Sequence, residues 1–117
     1  MKANELRIGN YILHEPTIDD WEEIIVTLPS LLQVDISPES YCGIPLTEEW
    51  LLKFGFEKLE HDMASHQYLL NGFPEVIIYG DAVPYTVINE NMIDLLFVHS
   101  LQNLYFALTG EELQIKK

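Results

Sequence analysis

The chain reads as an α+β protein in which short antiparallel strands form a curled or small barrel-like sheet, covered by two helices at about residues 48–54 and 99–109. Three observations predict this class. Short runs rich in β-branched and aromatic residues recur between turn formers, at spacings that suit a meander better than crossover connections. One segment, Thr47 to Phe56, carries both the start and the stop signals of a short helix. After His99 the apolar residues recur at helical rather than strand spacing.

In chain order, Leu6, Ile8, Asn10 and Ile12 alternate onto one side of a first strand, with Gly9 marking a bend or bulge. His14 to Asp20 holds a proline and turn formers and reads as a loop. Trp21 to Leu28 has the β-branched content of a second strand, Pro29-Ser30 reads as a turn, and Leu32, Val34 and Ile36 alternate with Gln33 and Asp35 as in a third strand. Ser37 to Gly43 is loop. In the helix that follows, Thr47 is placed to cap the first amides, and Glu48 and Glu49 sit at the positive end of the helix dipole. Leu46 and Leu51 stand at staple positions, while Gly55 and Phe56 have the order of a Schellman ending. Strands are then expected at Phe56 to Leu59, Gln67 to Leu70, Glu75 to Tyr79, Tyr85 to Asn89 and Ile93 to Val98. Leu101, Leu104, Tyr105 and Leu108 form the stripe of the second helix, which Gly110 stops, and the tail from Glu111 frays or adds a short edge strand.

With 117 residues, 48% of them apolar, the chain is expected to build one core as a single domain over 1–117, with a sub-domain boundary near 37–44. The lone Cys42 allows no internal disulfide or thiolate zinc site. Nothing in the first residues resembles a signal peptide and no run approaches a membrane span, so a cytoplasmic protein without membrane contact is expected.

Nineteen acidic residues stand against six basic ones, for a net charge of −13. Lys and Arg occur only at Lys2, Arg7, Lys53, Lys58, Lys116 and Lys117, so residues 8–52 and 59–115 contain none. Direct nucleic-acid binding is not expected, because it depends on clustered Lys and Arg displacing counterions from phosphates. Such a field attracts a basic protein partner, although the same charge also serves solubility, and both readings stay open.

Three segments, Leu6-Arg7-Ile8-Gly9-Asn10-Tyr11, Ile44 to Phe56 and Val98 to Leu113, resemble an uncharacterised family of small bacterial and phage-borne proteins. The resemblance implies a mobile-element setting and brings no catalytic residues with it. It leaves out Pro16 to Asp20 and Glu60 to Ala82.

The nearest approach to a metal set is His61-Asp62 with His66, which also reads as two surface histidines in a turn. Glu15, Asp19, Asp20, Glu22 and Glu23 concentrate five carboxylates within nine residues, without the ligand spacing of a calcium loop, and suit a solvated acidic face or a basic partner. Cys42 has no basic neighbour in sequence to activate it, and His99 reads as a structural residue at a strand-to-helix junction. Tyr105 and Phe106 point about 100° apart, so one of them is a candidate dimer contact. No Gly-rich phosphate loop, G-x-S-x-G or H-E-x-x-H pattern occurs, and no cofactor is expected.

Three function classes follow, in order of preference. The first is an acidic interaction module or accessory or inhibitory protein of a mobile element, whose sharp form is a DNA mimic. The second is a homo-oligomeric structural protein with an apolar patch on its second helix, and the third a metal-dependent enzyme using His61, Asp62 and His66.

Overall fold

The computed structural model describes residues 5–17, 19–60, 65–70, 72–79 and 83–115. Among them, β1 (Tyr11–Thr17), β2 (Asp20–Ile25) and β3 (Tyr41–Gly43) form a three-stranded sheet in the order β2-β1-β3. A second sheet is a five-stranded antiparallel meander of β4 (Glu57–Glu60), β5 (Ser65–Leu70), β6 (Phe73–Tyr79), β7 (Tyr85–Ile88) and β8 (Asn91–Asp94). The helices are α1 (Leu28–Ile36), α2 (Glu48–Lys53) and α3 (Val98–Thr109). The α+β class and its antiparallel strands are as the sequence reads, but the strands make two open sheets and no barrel.

Antiparallel partners share a sheet face, and this divides the small sheet cleanly. Ile12, His14, Ile24 and Tyr41 lie on one side, Tyr11, Leu13, Ile25 and Cys42 on the other. The first side closes over a small core with Leu6, Val26, Leu31 and Val34. From the second side Tyr11 enters the main core, its ring 5.4 Å from Trp50 and 6.2 Å from Phe54. That core gathers Trp50 and Leu51 of α2 and its C-cap Phe54, Tyr68, Phe73 and Val76 of the meander, and Val98 and Leu101 of α3. Past β3 the chain pairs with the entry to α3: Val98 donates to the Ile44 carbonyl at 2.8 Å, Leu46 donates to Leu96 at 3.1 Å, and Pro45 bridges to Phe97. The two sheets are tied by backbone as well as by side chains.

The largest departure from the sequence reading is residues 31–36, read as a strand and folded as the helix α1. Thr27 is an N-cap in extended conformation whose hydroxyl accepts from the Ser30 amide, and Pro29 occupies the first helical turn. A proline there costs nothing because its missing N–H would have had no helical partner, so the apparent turn Pro29-Ser30 is a helix start. The alternation Leu32, Val34, Ile36 coexists with the helical spacing Leu28, Leu32, Ile36, and the cap decides between them.

Smaller corrections have local causes. The first strand begins at Tyr11, not Leu6, because Arg7 to Asn10 forms a turn closed by the Asn10 amide on the Arg7 carbonyl. It extends through Pro16 to Thr17, where a loop was read, with a register shift after His14 accommodating the proline. The second strand ends at Ile25 rather than Leu28, since Thr27 already belongs to the helix start. The last strand is Asn91–Asp94 instead of Ile93 to Val98, and Asn89 and Glu90 make its two-residue turn with positive φ of 51° and 68°. The residues after α3 form no strand up to Ile115; Leu113 folds back into the main core.

The helix read most closely from sequence, α2, keeps its ending in full. Phe56 donates to the Leu51 carbonyl and Gly55 to Leu52, both at 3.0 Å, with Gly55 at φ +93° where an L side chain is disfavoured. At its start Thr47 has extended cap geometry, but its hydroxyl makes no capping hydrogen bond.

Candidate protein-interaction face

The acidic residues singled out in sequence are brought to one hairpin. Glu15 lies on β1, Asp19 in the turn at φ 63°, and Asp20, Glu22 and Glu23 on β2. Asp19 N–H donates to the Glu15 carboxylate at 2.8 Å, and His14 Nδ1 lies 3.6 Å from Glu22 with its ring stacked on Tyr41. Glu22 pairs with His14 and Glu23 with Leu13, so these two carboxylates leave opposite faces of the sheet. The hairpin is a spread of negative charge and not a cation cage, and no group of three potential metal ligands converges among the described residues.

The feature that sequence reading missed follows it in the chain. Leu28, Leu32 and Ile36 are 61%, 61% and 71% exposed and stand four residues apart, so they form one ridge along the outer side of α1. Leu31 and Val34 turn inward to the small core. Asp35 and Glu39 are exposed at the C-terminal end of the ridge, and Ile25, 53% exposed, precedes its N-terminal end. No basic residue stands in the last turn of α1. The carbonyls of that end therefore add partial negative charge to Asp35 and Glu39. Three large aliphatic side chains in water at one helix face represent about 1–2 kcal/mol each of unrealised burial. Helical spacing of Leu28, Leu32 and Ile36 was the signal available in the sequence, and it was masked by the competing period-two reading.

The expected dimer contacts on the C-terminal helix are partly occupied within the chain. Tyr105 stacks on Phe73 at 5.7 Å between ring centres, and the Arg7 guanidinium lies 3.8 Å over the Phe106 ring while pairing with Glu112. Phe106 and Leu108 remain 40% and 45% exposed, less than any member of the α1 ridge.

Of the expected metal set, His61 and Asp62 lie outside the described residues. His66 sits on β5 and pairs across to Ile78 and Glu60. It shares a sheet face with Lys58 and Tyr68, and Glu48 of α2 comes down onto that face: the Tyr68 hydroxyl donates to the Glu48 carboxylate at 2.9 Å and Lys58 Nζ at 3.3 Å. Burial, then the bond to Glu48, pushes the Tyr68 phenol far above its usual range, and Tyr68 and Lys58 hold the Glu48 carboxyl below the usual one. At neutral pH this is a satisfied ion pair with a neutral phenol, and it anchors the start of α2 to the meander.

Two clefts border α3 and the chain ends. One of about 520 Å³ lies between Tyr11 and Ile25 on one wall and Glu112, Leu113 and Ile115 on the other. A second of about 310 Å³ is lined by Glu5, Leu96, Phe97, His99, Ser100 and Asn103. His99 is 4% exposed and stacked on Phe97, with Nε2 4.0 Å from the Glu5 carboxylate and Nδ1 buried without a hydrogen-bond partner. It neither caps α3 nor donates to a strand carbonyl through Nδ1. Ser100 follows it on the helix and points about 100° away, so the two do not make a nucleophile and base pair. Burial likewise raises the half-buried Cys42 thiol above its ordinary pKa, which disfavours the thiolate.

His99 has a stability consequence. Its burial lowers its pKa below 6.5, with Glu5 opposing in part. The unfolded chain then binds the proton more readily than the folded one, so stability is full above pH ~6.5 and falls as pH drops from there toward the depressed folded value. The expected slope at His99 is at most about 1.4 kcal/mol per pH unit. Urea midpoints at pH 7.5 and 5.5 measure it, and His99→Gln should remove most of the difference; an equal difference in both proteins would place the titration elsewhere.

No family model matches the chain, and no curated protein or solved structure matches it significantly.

Proposed function

We propose that this chain is a protein-binding module whose N-terminal layer, from β1 to β3, receives a basic protein partner. The observation that carries the reading is the pairing of an exposed aliphatic ridge on α1 with a surrounding stretch, residues 8–52, that contains no Lys or Arg. An apolar patch bordered by charge of one sign supplies short-range burial together with long-range steering toward the opposite sign. The net charge of −13 opposes a second copy in the same seat, because two such layers would bring like charges together. A mobile-element setting, which the resemblance of the three segments implies, belongs to the same proposal: the partner is then a basic host or phage protein.

The test is affinity capture from a host lysate at low and high ionic strength, with bound proteins identified and their stoichiometry measured. A basic protein held in stoichiometric amount at low salt and largely released at high salt is the expected result, since screening shortens the reach of the field to about 10 Å at 0.1 M and less above it. Capture that is indifferent to salt, or of acidic proteins only, would contradict the electrostatic part of the reading.

A further inference from the structure

Resting on the reading above, we infer that the partner contributes an amphipathic helix, whose apolar side packs across Leu28, Leu32 and Ile36 and whose Lys or Arg residues meet Asp35, Glu39 and the C-terminal end of α1. The geometry points to a helix and not to an added strand. Residues four apart make a continuous ridge inclined to the helix axis, the surface that fits the groove between ridges of a second helix. An added strand would need a row of free backbone donors and acceptors, and α1 has spent those on its own hydrogen bonds.

Charge selects the partner's sign at the seat itself. The ridge runs toward the negative end of the α1 dipole, Asp35 and Glu39 stand exposed there, and among the described residues the cations Arg7, Lys53 and Lys58 are engaged elsewhere, with Glu112, Glu49 and Glu48. An acidic or neutral amphipathic helix would gain the apolar burial and lose the steering, and a second copy of this acidic chain would add repulsion.

The experiment uses the full chain and two fluorescent synthetic peptides of identical Leu and Lys composition, one patterned to form an amphipathic helix and one permuted to have no apolar side. Fluorescence anisotropy at low salt is expected to show the patterned peptide binding at least roughly tenfold (about 1.4 kcal/mol) more tightly than the permuted one. Leu32→Asp is expected to abolish that preference while leaving the thermal midpoint within a degree or two, because its side chain is exposed. A Met92→Asp variant on the meander is expected to bind both peptides as the parent does. Equal binding of both peptides would overturn the helix while leaving the attraction of a basic partner standing. Loss of the preference in Met92→Asp and not in Leu32→Asp would overturn the location. A dimer seen by sedimentation and dissolved by Leu32→Asp would assign the ridge to a second copy and overturn the inference.

Discussion

Gln102→Leu is expected to lower the thermal midpoint by roughly 10–15 °C, a loss of about 3 kcal/mol. Gln102 is 1% exposed on α3 and works at both ends of its amide: its oxygen accepts from the Tyr11 amide at 2.9 Å and its nitrogen donates to the Gly9 carbonyl at 3.1 Å. Leucine fills the space and leaves both backbone groups without that partner in the interior, at about 1–3 kcal/mol each, offset in part by its own burial. Gln102→Glu separates hydrogen bonding from volume. At neutral pH its carboxylate keeps the acceptor role, loses the donor role and places a charge in a buried site, which raises its folded pKa above the ordinary ~4.3. Its deficit relative to the parent at the same pH should therefore be smallest below about pH 4.3, where the acid is protonated and donates to Gly9, and should grow as pH rises through the raised value. Denaturant midpoints across pH measure this; a Gln102→Leu loss under about 1 kcal/mol would show that the amide does not hold the junction.

The Gln102 contacts belong to a wider seam. Asn103 accepts from Asn10 at 3.0 Å and from Arg7 at 3.3 Å and donates to the Glu5 carbonyl at 2.9 Å, while Arg7 reaches Glu112. The segments Leu6 to Tyr11 and Val98 to Leu113 thus face each other, and Ile44 to Phe56 meets the first where Tyr11 packs on Trp50 and Phe54.

Gly43→Ala is the second large effect, at roughly 2–3 kcal/mol. A Cβ at this position would sit 2.6 Å from Cδ1 and Cγ of Phe97 and 2.9 Å from Cε1 of His99. Those rings are stacked at 5.3 Å and 10° in the seam that joins β3 to the entry of α3, so neither is a flexible end that can swing aside. Replacing Phe97 by Leu in the alanine background should restore part of the loss, and the double-mutant cycle should give a favourable coupling between the two changes. If the losses simply add, crowding against Phe97 is not the cause. The comparison needs only denaturation curves on four purified proteins.

The parts of the fold that could be read from the sequence were those whose cause lies within a few residues. The Gly55-Phe56 ending, the stop at Gly110 and most meander strands are set by a left-handed glycine or by alternation with turns between, and they stand close to where they were expected. Residues 28–36 were misread because both periods fit so short a run, and the deciding atom, the Thr27 hydroxyl on the Ser30 amide, was taken for part of a strand and turn. The acidic residues of the hairpin were identified from sequence. The ridge on α1 was not, since exposure of Leu28, Leu32 and Ile36 depends on which side of α1 the small core takes.

The α+β class, the absence of Lys and Arg from residues 8–52, and the ends of α2 and α3 are legible before folding, because composition and capping are local properties of the chain. Long-range packing alone makes Gln102 and Asn103 clasp a segment some ninety residues earlier and sets two rings against Gly43. It also decided that three aliphatic side chains of α1 stay in water while Leu31 and Val34 do not. These outcomes depend on which surfaces close on one another when the chain collapses, and no window of sequence contains both partners of such a contact.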